Sequence, residues 1–279
     1  MTRQLTEKEL GVNANLERGV VYIAFGEVFT REALFSAESV KKNSPGIEIA
    51  IFTNMSIEND YVDYVCYIKP NHIRSKVDFI SFSPFKETIY LDSDTCIVRP
   101  IHDMFDTLKK YDIGAIHDFA RKRKKYANLV PEYGKIPYNF SEVNGGVFVF
   151  ANNEKTRMFF ETWKKYFYKY YKETNGWDQV SLRVALWESD VNLYIMPIEY
   201  NNRGQDNRDK VNMAYVIEEN GPDHMKPRIL HMHADKNIHK GVYNIKSYEE
   251  FENFYKDNRY EYWEKRWSLL CFHMWRNTD

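Results

Sequence analysis

Two aspartates, Asp92 and Asp94, follow the short apolar run Thr88-Ile89-Tyr90-Leu91. The β-branched and aromatic residues of that run predict a buried strand. Carboxylates two positions apart would point to one face of the sheet if the extended backbone continued. Open α/β sheets bind ligands beyond the carboxyl ends of their strands, and paired carboxylates suit a hard divalent cation that could hold a diphosphate. A simpler alternative is that these aspartates only stabilise a turn at Cys96–Val98.

Alternating strands and helices must position these acids. Val20 to Phe25 predicts a buried parallel strand, a helical pattern starts at Thr30, and Glu48 to Thr53 predicts the next strand. A strand, a helix and a strand at this spacing form a βαβ unit, so we expect an α/β fold with a doubly wound sheet. No G-x-G-x-x-G follows the first strand, so the dinucleotide-binding fingerprint is absent.

The rest of the chain continues the same alternation. The further elements expected are a strand at Tyr61–Ile68, a helix at Arg74–Ser83, a helix at Asp103–Lys110, a strand at Asp112–His117, a long loop with the basic run Arg121 to Lys125, a strand at Val147–Phe150 introduced by Asn144-Gly145-Gly146, a helix at Asn153–Glu173, a helix opening at Trp177-Asp178-Gln179, strands at Leu193–Ile198 and Arg228–His233, and an aromatic helical tail at Ser247–Trp275.

Length and composition bound the class of protein. The 279 residues suit one large α/β domain, or one domain with an appended helical lobe. A hydrophobic content of 43% supplies a sizeable core. Lys+Arg 39 against Asp+Glu 40 leaves a net charge of -1, which argues against a general nucleic-acid binder.

Cysteine usage and the absence of long apolar segments indicate the compartment. Cys66, Cys96 and Cys271 have no C-x-x-C spacing, so neither a disulfide framework nor a zinc knuckle is predicted. Cys66 and Cys96 fall in apolar strands and are expected to be small core residues. The chain shows no signal-peptide pattern and no run of about 18 apolar residues, so we expect no transmembrane segment and a cytoplasmic location.

The order of the motifs resembles the glycogenin-like, or family 8, glycosyltransferases of the GT-A fold, which use nucleotide sugars. The resemblance runs from about Val20 to about Lys240. The matching segments are Ser75-Lys76-Val77, Tyr90-Leu91-Asp92-Ser93-Asp94-Thr95, Ile101-His102-Asp103-Met104-Phe105, Asn144-Gly145-Gly146, Asp178-Gln179 and His231-Met232-His233-Ala234-Asp235-Lys236. The last segment lacks the glycine of the family's His-x-x-Gly-x-x-Lys and is one residue shorter.

The resemblance implies a domain arrangement. We expect a GT-A fold with a Rossmann-like mixed central sheet flanked by helices. Residues 1–18 would form an N-terminal extension, 19–245 the nucleotide-sugar transferase domain, and 246–279 an aromatic-rich helical C-terminal extension. The aromatic extension could pack against the domain, pair two subunits in a homodimer, or contact a membrane surface peripherally.

The resemblance also implies a metal site. Asp92, Asp94 and His231 would hold Mn²⁺, with Mg²⁺ as the other candidate, against the phosphates of the donor. A leaving nucleoside diphosphate develops negative charge that needs a cation beside it, and mixed carboxylate and imidazole ligation favours Mn²⁺. Lys236 would neutralise the diphosphate. The alternatives are a core histidine on a strand and an ordinary solvated lysine.

Further residues would bind the donor. Lys76 would reach back to it, and Gly145 with Gly146 would permit close approach of the backbone to a ligand. Phe29 stands about where the family stacks an aromatic ring on uracil. The alternatives are a lysine on a helix surface, a plain turn before a strand, and a core phenylalanine.

The sugar-binding and catalytic residues implied by the resemblance are Asn144, Asp178 and Gln179. Asn144 offers a donor and an acceptor to a sugar hydroxyl. The family uses the aspartate that matches Asp178 to bind sugar hydroxyls, and the residue that matches Gln179 lies near the anomeric carbon. A helix N-cap is a sufficient structural account of Asp178.

These residues predict a metal-dependent enzyme. It would move a hexose from a UDP-sugar to a hydroxyl of a glycan, protein or lipid-linked acceptor, and the family's outcome is retention at the anomeric carbon. One alternative is a non-catalytic nucleotide-sugar-binding module on the same fold. Another is a D-x-D phosphohydrolase, although Cys96 stands where that signature has Thr or Val. The basic run Arg121 to Lys125 could contact the diphosphate or an anionic acceptor, or be a solvated loop.

Overall fold

The computed structural model describes residues 2–118, 120–203 and 228–231. Lys236 and the aromatic extension at 246–279 lie outside the described residues, so the expectations for them stay predictions. None of the helices in the described ranges is long and apolar enough to cross a bilayer.

The described residues alternate between strands and helices as expected. The strands are β1 (Arg3–Gln4), β2 (Leu16–Ile23), β3 (Glu48–Thr53), β4 (Tyr64–Tyr67), β5 (Phe85–Leu91), β6 (Thr95–Ile97), β7 (Ile113–His117), β8 (Val143–Ala151), β9 (Leu193–Ile195), β10 (Asn202–Arg203) and β11 (Ile229–His231). The α-helices are α1 (Gly26–Asn43), α2 (Lys76–Phe79), α3 (Lys124–Leu129), α4 (Pro131–Lys135), α5 (Glu154–Lys169) and α6 (Asp178–Glu188). Turns of 3₁₀-helix occupy Glu7–Glu9, Gly11–Asn13, Ile80–Phe82, His102–Lys109 and Ile198–Asn201.

The main sheet is mixed. Its eight strands in the described ranges lie in the order β1-β4-β3-β2-β5-β8-β7-β9. β2 pairs in parallel with both β3 and β5, whereas β8 is antiparallel to its neighbours β5 and β7. The expected Rossmann-like mixed sheet is therefore confirmed. Residues near the start of the chain also join this sheet, because Arg3 and Gln4 pair with Tyr64 and Val65.

Helices cover both faces of this sheet. Along β2, Val21 and Ile23 belong to one core cluster, and Val20 and Tyr22 belong to the other, as the two-residue period of a strand requires. α5 packs on the first face, and α1 packs on the second. Burial on both faces explains why the central strands are nearly continuous apolar runs.

A second, smaller sheet lies beyond the tip of β5. It has the strand order β10-β11-β6, and β11 runs antiparallel to β6. His231 lies opposite Thr95, the first residue of β6. A residue late in the sequence is thereby held beside the segment that follows Leu91.

The two cysteines of the described strands are core residues, as expected. Cys66 and Cys96 are both buried thiols. Burial raises the pKa of the Cys66 thiol to about 12.

Three expectations need correction. The strand after Asn144 begins earlier, because Asn144-Gly145-Gly146 already belongs to β8, whose first residue, Val143, pairs with His117 of β7. The helix expected over Arg74–Ser83 is only one turn of α-helix that tightens into a 3₁₀ turn ahead of Pro84. The basic run is not all loop, because α3 begins at Lys124.

Candidate active site

The acidic pair lies where the chain passes from the main sheet to the smaller sheet. The Asp92 N–H donates to the Gly146 carbonyl at 2.8 Å, which fixes Asp92 between the tips of β5 and β8. The Thr95 hydroxyl donates to the Asp92 carbonyl at 2.9 Å and closes the turn that contains Asp94. The segment therefore forms a turn and also brings the two carboxylates close together, so the turn and the ligand interpretations are compatible.

His231 completes a three-residue cluster with these acids. Its Nε2 lies 3.3 Å from Asp94 Oδ1 and 3.9 Å from Asp92 Oδ2. One ligand atom from each of the three residues lies within 4.8 Å of the others. In an octahedral site, neighbouring ligand atoms are about 3 Å apart and opposite ones about 4 Å apart, so this spacing fits a divalent cation.

Gly146 allows this close approach. A Cβ at this position would lie 2.4 Å from His231 Cε1 and 2.6 Å from Asp92 Oδ2. At Gly145 a Cβ would meet nothing nearer than Leu182 at 3.4 Å. Gly146 is therefore the position at which the cluster requires glycine, a reason that the sequence motif alone does not give.

A hydrogen-bonded relay supports the histidine. The Gly146 N–H donates to Asn144 Oδ1 at 3.0 Å, and Asn201 Nδ2 donates to the same oxygen at 2.8 Å. Asn201 Oδ1 lies 2.8 Å from His231 Nδ1. The structure thus places Asn144 behind the cluster, in contact with Asn201. Sequence reasoning missed Asn201, which no motif marks.

Lys76 lies between two carboxylates. Its ammonium donates to the Gly145 carbonyl at 2.8 Å and to Asp92 Oδ1 at 3.1 Å, and it lies 3.4 Å from Asp178 Oδ2. Burial acts to raise the pKa of Asp92, but Lys76, His231 and the Tyr90 hydroxyl hold that pKa below its usual value. Lys76 therefore joins the tip of β5 to α6.

The start of α6 brings Asp178 and Gln179 to the same place. Trp177, and not Asp178, is the N-cap, so the alternative account of Asp178 as a helix cap is wrong. The Asp178 carboxylate instead lies near Lys76 and Arg74, and its charge at a helix N-terminus is favourable. The Gln179 amide donates to the Val143 carbonyl and accepts from the Gly145 N–H, so it contacts β8.

A cleft opens beside the cluster. It encloses about 690 Å³, including space open to solvent. The residues that line it include Phe25, Phe29, Glu32, Ile73, Arg74, Lys76, Asp92 and Asp94. Phe29, near the start of α1, is half-buried, and it both packs against the core and lines the cleft. Sequence reasoning missed Arg74 and Glu32, and only the nearby Lys76 points to Arg74.

The first three residues of the basic run hold the polypeptide that follows β7. Arg123 pairs with Asp118 at 3.0 Å and with Glu142, and its guanidinium lies 4.5 Å from the centroid of the Trp177 ring. Lys122 donates to the carbonyls of Gly134 and Ile136. Arg123 is therefore held by two buried carboxylates, although its own side chain stays partly exposed.

A mixed α/β sheet with carboxylates at the tip of a central strand and a cleft beside them is the GT-A fold of sugar transferases. The model of the nucleotide-diphospho-sugar transferase family matches residues 86–243. The chain belongs to this family and is a sugar transferase. A comparison with curated protein sequences found no significant match.

Solved structures share the fold. An active-site mutant of LgtC is 15% identical over 86% of this chain and 95% of that chain, with a TM-score of 0.56. The galactosyltransferase LgtC in complex with donor and acceptor sugar analogs is 13% identical over 77% of this chain and 86% of that chain, with a TM-score of 0.50. The glycosyltransferase GlyE of Streptococcus pneumoniae TIGR4 is 14% identical over 87% of this chain and 64% of that chain, with a TM-score of 0.55.

Proposed function

We propose that this sugar transferase is a metal-dependent, glycogenin-like (family 8) enzyme that moves a hexose from a UDP-sugar to an acceptor hydroxyl with retention of configuration. The observation that carries the metal role is the convergence of Asp92, Asp94 and His231 beside an open cleft. The family resemblance supports UDP, hexose and retention. The acceptor would be a glycan, a protein or a lipid-linked sugar.

The donor set favours Mn²⁺, with Mg²⁺ as the alternative, because an imidazole joins two carboxylates. When bound, the cation supplies positive charge that stabilises the leaving nucleoside diphosphate. Asp92, Asp94 and His231 are preorganised for it, because Asp94 and His231 are buried and Asp92 is anchored through Gly146. Lys236 as a diphosphate contact stays a prediction.

The remaining site residues would position the sugar. The Asp178 carboxylate would accept hydrogen bonds from sugar hydroxyls, with Lys76 and Arg74 keeping it oriented. The Gln179 amide would lie near the anomeric carbon. Asn144 and Gly145, at the start of β8, would form the floor of the sugar site. Phe29 would stack on the base.

The domain assignment also stays a proposal. Residues 19–245 would contain the transferase site, and the aromatic residues at 246–279 would contact a second subunit, a membrane surface or the domain itself. The composition supports a cytoplasmic enzyme that does not bind nucleic acid.

A phosphohydrolase with Asp92 as nucleophile is disfavoured by the contacts of that side chain. Lys76 donates to both Asp92 oxygens, and the Tyr90 hydroxyl donates to Oδ1 at 2.7 Å. A carboxylate held on both oxygens is a poor nucleophile and a well-oriented ligand.

The test is release of nucleoside diphosphate from a panel of UDP- and GDP-sugars by the full chain. We expect hydrolysis of a UDP-hexose that EDTA abolishes and Mn²⁺ restores better than Mg²⁺. NMR of the sugar first released should show the same anomeric configuration as in the donor, which is the signature of retention. An undiminished rate in EDTA would refute the metal role, and UDP binding without turnover of any donor would indicate a binding module.

A further inference from the structure

We propose that Asn201 is a positioning residue that fixes the tautomer and the ring orientation of His231, so that Nε2 faces Asp92 and Asp94 with its lone pair. This inference deepens the proposed function and rests on it, since it concerns how the same site accepts a divalent cation. It assigns a role to a residue that no sequence motif singled out.

The argument starts from a group whose hydrogen-bonding role is fixed. The backbone N–H of Gly146 can only donate, so the Asn144 atom at 3.0 Å from it must be the amide oxygen. The other end of the Asn144 amide supports this orientation independently. Its Nδ2 donates to Asp118 Oδ2 at 3.3 Å, and an ionised carboxylate can only accept.

The orientation of Asn201 follows from that of Asn144. The Asn201 atom 2.8 Å from Asn144 Oδ1 must donate, so it is Nδ2. The remaining end of this amide is therefore Oδ1, which lies 2.8 Å from His231 Nδ1. Because Oδ1 accepts, Nδ1 carries the proton and donates. Each choice of donor in the relay is thus determined by one backbone N–H.

The consequence for His231 concerns its second nitrogen. With the proton on Nδ1 of the neutral ring, Nε2 presents its lone pair 3.3 Å from Asp94 Oδ1 and 3.9 Å from Asp92 Oδ2. Three electron-rich groups then point into one space, an arrangement that a cation stabilises. Metal-binding histidines generally have their other ring nitrogen held by an acceptor in this way.

The fold delivers Asn201 and His231 together. Asn201 ends the 3₁₀ turn Ile198–Asn201 and directly precedes β10, which pairs with β11. Asn201 and His231 are each 2% exposed, so water does not compete for the hydrogen bond between them. Separations of 57 residues between Asn144 and Asn201 and 30 between Asn201 and His231 keep the relay invisible in the sequence.

The test measures Mn²⁺ binding to the full chain in the presence of UDP. Electron paramagnetic resonance of free Mn²⁺ gives the dissociation constant, and spin-echo modulation from a coordinated imidazole nitrogen reports whether His231 is a ligand. We expect the modulation in the wild type and its loss in His231→Ala. Asn201→Leu should weaken Mn²⁺ binding by about 10–100-fold and diminish the modulation.

Asn201→Asp is the variant to compare with Asn201→Leu. It keeps an acceptor for His231 Nδ1–H but loses the donor to Asn144 Oδ1, so we expect Mn²⁺ binding to weaken less than in Asn201→Leu and the nitrogen modulation to be retained. A role for Asn201 in packing alone predicts the opposite order, because leucine matches the volume and aspartate adds a buried charge. Asn202→Leu, a change at the adjacent buried asparagine, controls for the loss of a buried amide.

Thermal unfolding identifies variants that do not fold, and Asn201→Ala replaces Asn201→Leu if the leucine variant fails. Wild-type affinity in Asn201→Leu, or equal loss in the aspartate and leucine variants, would overturn the positioning role while leaving the metal role intact. Absence of Mn²⁺ binding to the wild type would instead refute the metal role in the proposed function, and this inference with it.

Discussion

Two acidic clusters lie beside the start of β8, and their carboxylates have different partners. The cleft cluster consists of Asp92, Asp94 and His231. The Arg123 cluster consists of Asp118, Glu142 and Arg123. Asn144 connects them, because its oxygen accepts from Gly146 and Asn201 and its nitrogen donates to Asp118.

In the Arg123 cluster a fixed guanidinium lies between the two acids, and the Tyr133 hydroxyl donates to Glu142. In the cleft cluster the two acids face an imidazole, and Lys76 pairs with Asp92 at the edge of the cluster. Removing one partner of a buried charge pair strongly destabilises a fold, whereas converging ligands are kept for a bound partner at some cost in stability. The difference predicts which cluster matters for activity and which for folding.

The largest effect is expected for Asp94→Asn. Loss of one charged ligand should lower Mn²⁺-dependent hydrolysis of the UDP-hexose by about 10³-fold, the size of effect typical of losing a main electrostatic stabiliser. The urea midpoint should not fall far below that of the wild type, because the substitution relieves the repulsion between Asp92 and Asp94. Steady-state kinetics and urea unfolding on the same preparation check both parts, and retained activity would contradict the role of the cleft cluster.

Arg123→Met should have the opposite profile. It leaves the carboxylates of Asp118 and Glu142, 3% and 0% exposed, without this guanidinium. Removing one partner of a buried charge pair costs about 3–5 kcal/mol in the free energy of unfolding, which urea denaturation would measure.

Lys124→Met is the matched control, since this exposed neighbour should change the free energy of unfolding by less than about 0.5 kcal/mol. Mn²⁺ affinity of the folded Arg123→Met protein should be nearly that of the wild type. A stable Arg123→Met protein that does not bind Mn²⁺ would reverse the assignment of the two clusters.

Neighbouring glycines of β8 give a smaller but sharper contrast. Gly146→Ala places a methyl group against His231 and Asp92, so Mn²⁺ affinity should fall by about 10–100-fold as the ligands are displaced. Gly145→Ala puts its methyl group in ordinary contact with Leu182, and Mn²⁺ affinity should change little. Titration calorimetry with Mn²⁺ and UDP compares the two, and equal losses would show that the crowding at Gly146 is not what matters.

Much of the fold was predictable from the sequence, and the two clusters show where prediction stops. Local pattern was enough to place a strand ahead of Asp92 and a helix at Asp178, because apolar runs and turns act over a few residues. The family resemblance was needed to assign His231 to the cleft cluster. The pairing of Arg123 with Glu142 was not predictable, because a charged run looks solvated until the fold buries its partners. Asn201 was missed because its contacts are remote in sequence.

Lys76 is an exception to the contrast between the two clusters, because it is a fixed cation that lines the cleft. It contacts Asp92 and Asp178, so Lys76→Met should lower kcat by about tenfold through loss of a charge-assisted hydrogen bond, while the KM for the donor changes by less than about threefold. Lys86→Met, at an exposed lysine paired with Glu17, should leave both constants unchanged. A rise in donor KM at constant kcat would instead show that Lys76 contacts the donor directly. That result would move Lys76 from the residues that hold the site together to those that bind the substrate.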